Sequence, residues 1–71
     1  MKYYLQIGFT SDIHVDDMLK WFPLEVVWAG HSIVLYNVKI LCGIEVAVEL
    51  LRKCHEMDNF HDFYLTAEEV F

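Results

Sequence analysis

Lys2-Tyr3-Tyr4-Leu5-Gln6-Ile7-Gly8-Phe9 opens the chain with an alternation that runs its whole length. Tyr3, Leu5, Ile7 and Phe9 fall on one face, and Lys2, Tyr4, Gln6 and Gly8 on the other. Successive side chains of a strand point to opposite faces, so the segment predicts a strand with one side in a core and one side free. Thr10-Ser11-Asp12 breaks the pattern and supplies helix-cap candidates. Val15, Met18, Leu19 and Phe22 then recur at i, i+3, i+4, i+7, one stripe of a helix from 15 to 22. Asp16 and Asp17 sit in its first turn, where the helix dipole favours acids. Pro23 ends it, because the residue before a proline is pushed out of the helical region.

Leu24 to Ala29 predicts a second strand, rich in Val and Trp. Gly30-His31 predicts a tight turn and Ser32 to Lys39 a third strand, paired with the second as a hairpin. A second helix is expected from Gly43 to Met57, with Ile44, Ala47, Val48, Leu51 and Cys54 or His55 as its apolar stripe. Glu49 and Lys53 form an i, i+4 pair in the favourable order. Phe60 to Thr66 reads as the last strand. The order is βαββαβ within one domain, residues 1–71. Two βαβ halves joined by a hairpin predict an α+β fold, the ferredoxin-like sandwich. It has a four-stranded antiparallel sheet in the order 4-1-3-2 and two helices on one face.

Such a sheet keeps one face open. With Val34, Tyr36 and Val38 turned to the core, Ile33, Leu35 and Asn37 join Tyr4 and Gln6 on that face. Asp62, Tyr64 and Thr66 come from the last strand. The second strand adds either Leu24, Val26 and Trp28 or Glu25 and Val27. Tyr and Trp are frequent interface anchors, so this is the expected protein-contact surface. The chain is 56% hydrophobic, and a domain this small hides only about 60% of its unfolded surface. Apolar surface therefore remains exposed, which also points to an interface and allows a homodimer.

Eleven acids against five bases give a formal charge of −6. Scattered bases suit phosphate neutralisation poorly, so nucleic acid is not the expected partner. Asp58, Asp62, Glu68 and Glu69 lie in a C-terminal stretch without a base and form an expected acidic contact with a basic protein surface. Two cysteines without a CxxC pair are no disulfide framework and suit a reducing, cytoplasmic setting. No run reaches the ~18 apolar residues of a membrane span. The chain reads as a complete small open reading frame.

Catalytic and metal chemistry find no support in the spacing. Cys54-His55 and His61 match no closed zinc site, and neighbours on a helix diverge by about 100°. Neither cysteine is accompanied by a nominated base and oxyanion donor. The three glycines are scattered and make no phosphate loop. The expectation is a binding protein without cofactor or enzyme activity.

Leu5-Gln6-Ile7-Gly8-Phe9-Thr10 resembles the first signature of the RNA-recognition motif, and Ala29-Gly30-His31-Ser32-Ile33-Val34-Leu35-Tyr36 is similar to the second. The resemblance implies the same fold and, in its usual form, single-stranded RNA stacked on sheet aromatics. The stacking positions hold Gln6, His31 and Ile33 here, and Ala29 replaces the leading base. It implies a degenerate reader, with Tyr4 and Tyr64 as substitute platforms. Gly8 gives a looser similarity to the ACT family, whose fold implies a homodimeric ligand-binding module. In size, acidity and lack of chemistry the chain resembles phage-encoded anti-defence proteins, including anti-CRISPR inhibitors. That likeness implies an inhibitor docked on a basic, nucleic-acid-binding surface.

Overall fold

The computed structural model describes residues 2–20 and 22–67. Six elements follow one another: β1 (Lys2–Phe9), α1 (Val15–Leu19), β2 (Glu25–His31), β3 (Tyr36–Gly43), α2 (Ile44–His55) and β4 (Phe60–Ala67). All neighbouring strands pair antiparallel, in the order β2-β3-β1-β4. Counted from the other edge, the same neighbours read 4-1-3-2.

β1 keeps the bounds and the parity of its alternation. Leu5, Ile7 and Phe9 are fully buried. Val38, Ile40 and Cys42 of β3 face the same way, and Leu19, Ala47, Leu50 and Cys54 close the core from the two helices. Both helices therefore cover one side of the sheet. The ends of the two layers are tied together, since the Thr10 amide donates to the Asn59 carbonyl (2.8 Å) and Asn59 Nδ2 to Ser11 Oγ (3.1 Å).

Three expectations need correction. First, α1 is five residues long and stops at Leu19, where the Phe22 amide already donates to the Leu19 carbonyl in a tight turn ahead of Pro23. Its N-cap is His14, without a side-chain bond. Asp12 is not a cap but pairs with His31 at 2.8 Å. Second, the hairpin does not turn at Gly30-His31. A two-residue turn needs positive φ at one of its central positions, and no described glycine has it. β2 instead continues to His31, and residues 32–35 form the loop, closed by the Ser32 amide on the Leu35 carbonyl (2.8 Å). β3 therefore starts four residues later than expected and runs on to Gly43.

Third, α2 is rotated about its axis. Leu50 is buried with Ala47 and Cys54, whereas Ile44 and Val48 remain 43% and 49% exposed. The shift is somewhat less than the ~100° step of one residue. It brings Leu50 onto the sheet centre and leaves Ile44 and Val48 on a flank.

Gly43 caps α2 at φ −74°, with open space where a Cβ would stand, and no side chain caps the helix. It also lies opposite Lys2. Gly43→Asp is expected to stabilise the fold by about 1 kcal/mol, through the cap, the dipole and reduced unfolded-state entropy. Urea unfolding of the two proteins measures it, and a loss of stability would contradict the assigned cap.

Candidate functional site

The face of the sheet away from the helices is organised in rows. Register places Trp28, Lys39, Gln6 and Tyr64 side by side across all four strands. The next row is Glu25, Leu41, Tyr4 and Thr66, and the third is Gly30, Asn37, Gly8 and Asp62. A bulge at Val27 decides the contribution of β2: the register slips between Val26 and Trp28, so Glu25 and Trp28 share a face despite their opposite parity. Each of the two sets expected from β2 was right in one residue, Trp28 in the first and Glu25 in the second, because an inserted residue inverts the alternation beyond it.

Trp28 is 46% and Tyr64 66% exposed, at opposite ends of the first row. Lys39 Nζ lies 4.9 Å from the centroid of the Tyr4 ring, a cation–π contact that already occupies one side of that ring. The third row is closed by its own side chains. Asn37 is 9% exposed and donates from Nδ2 to Ser32 Oγ at 3.0 Å. A Cβ at Gly8 would run into the Asp62 carboxylate and crowd Leu35 and Asn37, so this strand position accepts glycine because other side chains fold across it. The accessible part of the face is thus the first two rows.

Of the residues expected on this face, Tyr4, Gln6, Asn37, Asp62 and Tyr64 are there. Ile33 and Leu35 are not, because β3 has not begun: both belong to the hairpin loop, where Ile33 is completely exposed. Leu35 reaches only the Gly8 end. Lys39 and Leu41 were not expected. Val38, Ile40 and Cys42 alternate with them, so period two continued to Gly43, but Ile40-Leu41-Cys42 also reads as a plain apolar run.

The acids lie elsewhere. The open face holds two lysines, Lys2 and Lys39, against two acids, Glu25 and Asp62. The helices and their loops hold Asp12, Asp16, Asp17, Glu45, Glu49, Glu56 and Asp58 against Lys20, Arg52 and Lys53. Among the described residues the negative charge is therefore concentrated away from the sheet face. Asp58 stands in the turn before β4, while Asp62 lies over Gly8 and 3.5 Å from His61 Nδ1. Glu68 and Glu69 lie outside the described residues.

No family model, curated protein or solved structure matches this chain. The segment 29–36 that resembles the second RNA-recognition signature covers the end of β2, the hairpin loop and the first residue of β3. The two segments of the likeness therefore do not lie on adjacent central strands. No helix among the described residues is long and apolar enough to cross a membrane. No group of three or more His, Cys, Asp or Glu among them comes together around a cation position.

The cysteines face the core. Burial pushes the Cys54 thiol from 9.0 up to about 11 and raises Cys42 as well. Thiolate is the reactive form, so iodoacetamide at pH 8 is expected to spare both thiols in the folded protein and label both in urea, as read by mass spectrometry. The folded pKa lies above the unfolded one. The associated stability is thus fully present below about pH 9 and is lost as pH rises towards about 11. Labelling of the native protein on the same timescale as the unfolded one would refute this.

Proposed function

We propose that this chain is a ferredoxin-like binding module that meets a protein partner through the open face of its sheet. One observation carries the reading: Trp28, Tyr64, Tyr4 and Leu41 stand on a sheet face that neither α1 nor α2 covers. The βαββαβ order, with both helices contributing to one core, supports the ferredoxin-like assignment. Aromatic side chains lose little entropy on docking and dominate the energetics of many interfaces. The acid-rich helix layer favours a partner with basic surroundings and speeds its encounter. In its most specific form the reading is an inhibitor that covers a basic, nucleic-acid-binding surface. With two lysines on the face, few phosphate contacts are on offer.

A second reading is a single-stranded nucleic-acid platform. It is favoured by the first row, where Trp28 and Tyr64 flank Lys39 and Gln6. Matched affinity captures from native lysate, with the wild type and the Trp28→Ala/Tyr64→Ala variant as baits, separate the two. A stoichiometric protein held by the wild type and lost by the variant supports the module. Equal retention by both baits sinks it. A 260/280 nm absorbance ratio that falls after nuclease, with no protein band, selects the second reading.

A further inference from the structure

The two edges of the sheet are not alike. β2 is broken by its bulge at Val27 and contains Gly30. β4 pairs without interruption from Asp62 to Ala67, and that run holds no lysine, arginine, glycine or proline. Free N–H and C=O groups on an edge are a template for further pairing, which bulges, lysines and prolines ordinarily prevent.

The helix side of β4 is apolar and incompletely covered. Phe63 and Leu65 stand opposite Ile7 and Leu5 on the core face, yet they are 43% and 39% exposed. Ile44 and Val48 are exposed on α2, on the same stripe as His55. The ring of His55 meets that of Phe60 at 4.9 Å, which fixes this stripe towards β4. From His55 back to Val48 the helix spans about 10 Å, and back to Ile44 about 16 Å. From Phe60 forward, the strand reaches Phe63 at about 10 Å and Leu65 at about 16 Å. The two elements run in opposite directions, so Val48 comes level with Phe63 and Ile44 with Leu65. They form one apolar strip along the open edge.

We infer that this strip is a two-fold interface with a second copy of this chain. The two β4 strands pair antiparallel about Tyr64, and the two α2 flanks meet behind them. The pattern is self-complementary, as an isologous contact requires. Phe63 comes opposite the second copy's Leu65, and Asp62 opposite its Thr66, which keeps the two Asp62 carboxylates at opposite ends. The exposed fractions of Ile44, Val48, Phe63 and Leu65 amount to on the order of 350 Å² per copy. A standard interface takes about 800 Å² per partner. Paired backbone and the flanking Thr66 and Ala67 supply part of the remainder, which suits a reversible dimer. The open face then continues across eight strands and presents the row from Trp28 to Tyr64 twice.

Sedimentation velocity between about 5 and 500 µM tests the inference. The apparent mass is expected to rise from 8.4 kDa towards twice that value. The dimer tightens at about 0.5 M salt, because screening relieves the repulsion of two acidic chains. Val48→Lys and Phe63→Lys are each expected to weaken it at least about tenfold, while Trp28→Ala on the far edge leaves it unchanged. Val48 is half exposed on a helix, so its variant decides the matter even where Phe63→Lys does not fold. A monomer at the highest concentration and salt overturns the inference. A dimer indifferent to Val48→Lys but lost with Trp28→Ala overturns it as well, since the copies then meet face to face.

Discussion

Phe9→Ala is expected to remove about half or more of the stability of the fold. Phe9 is fully buried and stands opposite Tyr36 of β3 and Phe60 of β4. Its ring meets Phe60 edge-on at 6.5 Å, and Phe60 in turn touches His55 at the end of α2. One side chain thus links three strands to the longer helix. Truncating a buried phenylalanine costs about 3–5 kcal/mol, through lost transfer energy and the cavity left behind. A domain of this length has only about 4–10 kcal/mol in all. The thermal midpoint is expected to fall by about 15–30 °C, whereas Phe9→Leu keeps most of the volume and should cost far less. Circular dichroism melts of the three proteins provide the comparison. A loss under about 1 kcal/mol for Phe9→Ala would place the centre of the core elsewhere.

How much of this was legible in the sequence depends on what fixed each element. β1 was legible to the residue because its alternation is strict and Leu5, Ile7 and Phe9 are fully buried on one face, so any slip would turn them to water. The element order was legible for the same reason, since period two and period 3.6 exchange cleanly along the chain. The hairpin was misread. Gly30 suggests a turn by composition, but its backbone stays in the extended strand, and the loop is made by Ser32 and Leu35. That displacement put Ile33 on a face it does not reach, left Leu35 only at its Gly8 end, and hid Lys39 and Leu41. The bulge at Val27 leaves no mark in the sequence, because Val26-Val27-Trp28 fits a regular strand equally well. The rotation of α2 was also out of reach: Ile44 and Val48 match a helical stripe as well as Leu50 does, and only tertiary packing chooses between them. The candidate site was therefore readable on β1 and β4 and only in part on β2 and β3, where Trp28, Glu25 and Asn37 were anticipated.

Trp28→Ala is expected to weaken partner binding at least about 30-fold, and Tyr64→Ala by a similar factor. A truncated hot-spot aromatic costs about 2 kcal/mol or more when its partner pocket is left empty, and that energy corresponds to the stated factor. Neither change should unfold the chain, because Trp28 is nearly half exposed, Tyr64 about two-thirds exposed, and both lie outside the core. Charge reversal is expected to behave differently. Of the acids anticipated as a contact, Glu68 and Glu69 lie outside the described residues, Asp58 stands in the turn before β4, and Asp62 is engaged over Gly8. Reversing them to Lys should mainly slow association, by a factor that shrinks as salt rises, because charges at a rim act on encounter more than on residence. Biolayer interferometry with the captured partner, at about 0.05 and 0.5 M salt, resolves both rates. Faster dissociation for Trp28→Ala, together with slower association for the reversals, fits docking through the sheet face. The opposite outcome, unchanged binding by Trp28→Ala and none by the reversals, would move the contact from the aromatic rows to the acidic surface. The partner would then be held by charge alone, and affinity should collapse at high salt.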